Sequence, residues 1–107
     1  MKNWRINMLK VDEIKNLEIL KQYGFHSYKV NRNQTNYYRC FANSKQIIII
    51  GNADRCLVID KWLIGDPRIH KIAKCHFKDT TQLMDVVYDL IMDGVIIKYR
   101  EAENETI

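Results

Sequence analysis

Gln46-Ile47-Ile48-Ile49-Ile50, near the middle of the chain, is the stretch whose reading decides the fold. Four β-branched residues in a row are crowded at χ1 in a helix and fit well on a pleated strand. A strand sends successive side chains to opposite faces. Isoleucine at every position therefore calls for cover on both faces, as in the centre of a sheet.

Working outward, Ala42-Asn43-Ser44-Lys45 reads as a hairpin loop, and Tyr37-Tyr38-Arg39-Cys40-Phe41 reads as the strand before it. The polar run 31–36 is a turn, preceded by a short strand at Ser27-Tyr28-Lys29-Val30. On the other side, Gly51-Asn52-Ala53-Asp54 turns the chain into Cys56-Leu57-Val58-Ile59. Four such strands in succession make an antiparallel meander. Gly65-Asp66-Pro67 is the strongest turn signal, and Ile69 to Phe77 reads as a fifth strand with imperfect alternation.

Helical periodicity flanks this core. Asp12 fits an N-cap, and Ile14, Leu17 and Leu20 recur at helical spacing up to Gly24, which predicts a helix over 13–23 with this stripe in the core. Asp79 with Gln82 forms a capping box ahead of a second helix over Thr80–Met92. Its Leu83, Val86, Val87, Leu90 and Ile91 make a broad apolar face. Asp93-Gly94 ends it, and Val95-Ile96-Ile97-Lys98-Tyr99 reads as a short last strand. The expected fold class is α+β: an antiparallel β-meander of four to five strands, with the N-terminal and C-terminal helices packed on one face.

Length and composition bound the rest. The 107 residues are expected to form a single domain, 1–107, with a frayed tail at 101–107. Four glycines and one proline exclude collagen-like and linker-rich chains, and 47% hydrophobic residues at a net charge of +4 argue against disorder. A (β/α)₈ barrel does not fit in this length. No apolar run exceeds the four residues Ile47–Ile50, short of a secretory h-region and far short of a membrane span, so a cytoplasmic location with no membrane contact is expected. Three cysteines, Cys40, Cys56 and Cys75, are an odd number and read as free thiols.

Charge is uneven along the chain. Residues 1–53 hold nine Lys/Arg and three acids, a net +6; residues 54–107 hold eight and ten, a net −2. No acid occurs between Glu18 and Asp54. Within 21–45, Lys29, Arg32, Arg39 and Lys45 alternate with rings, and Tyr37, Arg39 and Phe41 share one strand face. Cations meet phosphates and rings stack on bases, so these six residues are candidates for binding single-stranded nucleic acid.

Other chemistry is weakly signalled. Cys40, Cys56, His70, Cys75 and His76 lack the paired C-x₂-C spacing of zinc sites, so no metal and no cofactor is expected. Cys75 with His26 or His70 could pair as thiolate and imidazole, but no G-x-S-x-G turn or glycine-rich phosphate loop is present, so no catalytic residue is assigned. Asp85, Asp89 and Asp93 form a row on the second helix, and Trp62-Leu63-Ile64 precedes the Gly65 turn as a candidate apolar anchor. The Val95-Ile96-Ile97 edge offers pairing with a second copy.

The short chain, rich in Asn, Ile and Lys and ordered helix–meander–helix, resembles small proteins of phages and other mobile elements. That resemblance implies an inhibitor or adaptor that occludes or bridges host machinery. The expected function is thus that of a non-enzymatic binding protein, its partner another protein or a second copy of itself, through Trp62, Leu63, Ile64, Asp85, Asp89 and Asp93. The alternative is a single-stranded nucleic-acid-binding module built on 21–45.

Overall fold

The computed structural model describes residues 8–42, 44–61 and 80–99. In chain order these form β1 (Met8–Val11), a 3₁₀ helix (Leu17–Tyr23), β2 (His26–Asn31), β3 (Gln34–Phe41), β4 (Gln46–Gly51), β5 (Leu57–Lys61), α1 (Leu83–Met92) and β6 (Ile96–Tyr99). The class is mixed α+β: a four-stranded antiparallel sheet, a second small sheet and two helical segments.

The larger sheet is a meander in the order β2-β3-β4-β5. Register places Arg39 opposite Ile48 and Ile48 opposite Ile59, which sorts the side chains into two faces. One face carries Tyr37, Phe41, Ile48 and Ile50. These cluster with Leu17 and Leu20 of the 3₁₀ helix, with Leu83, Val86, Val87 and Leu90 of α1, and with Val11, Phe25, Val95 and Ile96. The opposite face carries Tyr38, Cys40, Ile47 and Ile49, with Tyr28 half-buried against them. All four isoleucines of β4 are buried, so both faces are covered at the centre. Each such side chain contributes roughly 1.5–3 kcal/mol.

The smaller sheet pairs β1 with β6, from Met8↔Tyr99 to Val11↔Ile96. It is tied to the meander by a bridge between Lys10 and Cys56 and by the Val11 amide, which donates to the Arg55 carbonyl at 2.9 Å. β1 was not anticipated. Four residues are too few for alternation to register, and the strand acquires meaning only from its distant partner.

Three further expectations change. The first helix is a 3₁₀ helix that starts at Leu17, not an α-helix over 13–23. Asp12 closes a local turn, its carboxylate accepting from the Ile14 amide at 3.2 Å, and Asn16 is the cap, accepting from the Glu18 amide at 2.9 Å. Ile14 is consequently 84% exposed rather than core. The second helix begins at Leu83, three residues later than expected, and its cap position, Gln82, makes no side-chain bond to the helix. Finally, Val95 and Ile96 are buried and β6 pairs with β1, so of the proposed 95–97 edge only Ile97 is exposed. The Asp79 cap, the turn at 65–67, the strand at 69–77 and the tail 101–107 lie outside the described residues. No described helix is long and apolar enough to cross a membrane.

Candidate interaction surface

Eight of the ten residues of α1 are apolar or aromatic; the other two are Asp85 and Asp89. That is more apolar surface than one side of a helix can bury. Successive residues rotate by about 100°, so Leu83, Val86, Val87 and Leu90 fall on one side, and these four are buried. Met84, Tyr88, Ile91 and Met92 fall together on another side and are 65%, 61%, 43% and 64% exposed. Asp85, Asp89 and Asp93 make a third strip. The helix is three-sided: core, outward apolar, acidic. Ile91, assigned from its spacing to the core face, belongs to the outward stripe.

The apolar stripe continues onto the sheet. An open groove of about 300 Å³ separates the start of α1 from the β4–β5 hairpin, lined by Ser44, Gln46, Ile59, Gln82, Leu83 and Met84. Ile59 is itself exposed. Lys45, between Ser44 and Gln46 in the β3–β4 turn, and Lys61, which pairs with Gln46 at the end of β5, are exposed.

On the opposite flank, α1 faces the end of the 3₁₀ helix across a cleft of about 420 Å³ lined by Tyr23, Gly24, Arg39, Thr81, Asp89 and Asp93, among others. The Tyr23 hydroxyl donates to the Asp93 carboxylate at 2.7 Å. That bond, with burial and the charges of Asp93 and Asp89, pushes the phenol up to about 12. Asp93 is therefore a tether between two elements, while Asp85 and Asp89 stay exposed.

The six nucleic-acid candidates divide. Tyr37, Arg39 and Phe41 do share a face, but its rings belong to the main core cluster: Tyr37 is 6% exposed and Phe41 2%. Neither ring presents a surface for a base to stack on. The Tyr37 hydroxyl donates to Glu18, and burial followed by that bond pushes the phenol up to about 12. The Arg39 guanidinium donates to the Tyr23 carbonyl at 2.7 Å and lies 5.2 Å from the centre of the Phe41 ring. It thus closes the C-terminal end of the 3₁₀ helix. Lys29, Arg32 and Lys45 are exposed cations on β2 and on two different turns.

Trp62, Leu63 and Ile64 lie outside the described residues, as do His70, Cys75 and His76. Cys40 and Cys56 are buried and form no disulfide. Among the described residues no three His, Cys, Asp or Glu side chains gather as a metal site would require. The outward stripe Met84, Tyr88, Ile91 and Met92 was missed in the sequence, and so was Ile59. The signal for the stripe was an excess of apolar residues over what a single helix face holds; Ile59 had no such mark, being one alternate position of an edge strand.

Compared with known proteins, the chain matches no family model, no curated protein and no solved structure.

Proposed function

We propose that this chain is a non-enzymatic binding protein that works by protein–protein contact, with the outward side of α1 as its working surface. The observation that carries the reading is the exposed stripe Met84, Tyr88, Ile91 and Met92, which lies beside Asp85 and Asp89 and runs on to Ile59. Monomeric soluble proteins rarely leave contiguous apolar patches of several hundred Å² open, and such patches with a polar rim mark interaction sites. The reading keeps two of the expected contact residues, Asp85 and Asp89, and supplies an apolar anchor on the same helix. A nucleic-acid-binding role would rest on Lys29, Arg32 and Lys45 without the rings of Tyr37 and Phe41.

Affinity capture with the full chain tests the reading. Replacing Met84 and Tyr88 by Glu should abolish every specific protein contact, self-association included, while replacing Lys29 and Arg32 by Glu should leave those contacts intact. Unchanged contacts with the α1 double variant would rule the surface out.

A further inference from the structure

From the two carboxylates that the fold leaves open beside the stripe, we infer that the occupant of this surface is a basic amphipathic helix of a partner protein, with lysines or arginines along one border of its apolar face. The inference rests on the reading of the α1 face as a protein-contact surface and names the class of its partner.

Eight acidic residues lie among the described residues, and six are engaged within the chain. Glu13 pairs with Lys10 and Glu18 with Lys21. The carboxylates of Asp12, Asp54 and Asp60 accept from the backbone amides of Ile14, Cys56 and Lys61. Asp93 accepts from the Tyr23 hydroxyl. The two left over, Asp85 and Asp89, are exposed and both on α1. Standing four apart, they lie one turn above the other, with about 6 Å between Cβ atoms. The rotation per residue sets Asp85 next to Met92 around the helix, so the pair borders the apolar stripe directly. On the other side of the stripe, the groove of about 300 Å³ is lined by Ile59, Leu83 and Met84 with Ser44, Gln46 and Gln82, none of them charged.

These features describe the occupant. From Met84 to Met92 the stripe is about 12 Å long, a ridge against which a second helix can lie. Methionines at both ends adapt to the side chains they meet. One bulky apolar side chain of the incoming helix fits the groove beside Ile59. Its border over Asp85 and Asp89 must be cationic, because covering the stripe brings both carboxylates into the rim of the contact. There, opposite charges one turn apart satisfy the pair, and like charges penalise association. A second copy of α1 is a poor occupant: Leu83–Met92 contains no lysine or arginine and would leave both carboxylates unmatched. The same pair repels phosphate, which turns nucleic acid away from this face.

Selection on a displayed library of helix-forming peptides, each with a fixed apolar stripe and randomised flanking positions, tests this with the full chain as bait. Retained clones should carry Lys or Arg one turn apart on one border of the stripe. The variant with Asp85→Lys and Asp89→Lys should retain clones with Asp or Glu there instead, with an unchanged circular dichroism spectrum showing that the fold survives. A purified basic peptide should bind wild type at least roughly tenfold more tightly than the same peptide with glutamate at those positions, and the order should reverse on the charge-swapped variant. Added salt should narrow both differences. Clones without a charge preference, or a preference that the charge-swapped variant does not reverse, would overturn the inference. So would a library from which wild type retains nothing; the capture experiment with the Met84/Tyr88 variant then decides separately whether the surface receives a protein of another kind, a second copy included.

Discussion

The two helical segments start from similar apolar spacing and end in different states. The 3₁₀ helix is held by polar groups at both ends and along its side. Asn16 caps it, Lys21 pairs with Glu18 at 2.8 Å, Tyr37 reaches Glu18, and Arg39 donates to the Tyr23 carbonyl beside Gly24. Nearly everything it turns outward is already engaged by the chain itself. α1 has no side-chain cap, is anchored by four buried aliphatics, and turns four large apolar side chains to solvent. The difference separates a structural element from a working one. A segment whose outer groups are satisfied internally has nothing to offer a partner, whereas one that leaves apolar surface open does.

The contrast is breakable by measurement. The largest effect is expected at Leu90, fully buried under α1: Leu90→Ala should lower the unfolding free energy by about 2–5 kcal/mol in a urea titration. A loss well under that range would mean that α1 is not anchored by its aliphatic side. Next comes Gly24, whose φ of +86° is left-handed. Gly24→Ala should cost about 1–2 kcal/mol from the backbone alone. An added Cβ would also stand 2.8 Å from Arg39 Nη1 and push the guanidinium off the helix end. An unaffected midpoint would show that the polar lock on the 3₁₀ helix is dispensable.

The smallest effect is a pH dependence. The Tyr37 phenol, ordinarily near 10, is held neutral up to about 12 by burial and by its bond to Glu18. A raised value in the folded state stabilises below pH 10 and loses that contribution as pH climbs toward 12. Tyr37→Phe should therefore be less stable than wild type at neutral pH and show a shallower decline between pH 10 and 12. Parallel curves for the two proteins would remove Tyr37 from the lock.

The strands were the legible part of this chain. Alternation and β-branching at Tyr37–Phe41 and Ile47–Ile50 report local geometry directly, and Gly24 marks a helix end because few other residues tolerate its backbone. What stayed hidden depends on partners far away in sequence. Met8–Val11 is a strand through its pairing with Ile96–Tyr99 and its bridge to Cys56. Asp12 and Asn16 are both good cap residues; Asn16 is the one used, in a segment that Tyr37 holds at Glu18 and Arg39 at the Tyr23 carbonyl. The candidate surface was half legible: the acidic row showed in its spacing, but Tyr37 and Phe41 could be told from exposed rings only once the sheet had a covered side.

The pairing of β1 with β6 bears on how the protein is made. Residues 8–11 are made before 96–99 and have no β6 to pair with until then. The meander, whose strands are neighbours in sequence, can assemble meanwhile, but the bridge at Lys10 and Cys56 has no second strand to brace it. Newly made chains should therefore pass through a state with a finished meander and an unzipped first strand, in which Val11 and the underside of the isoleucine sheet are still open to water and to chaperones.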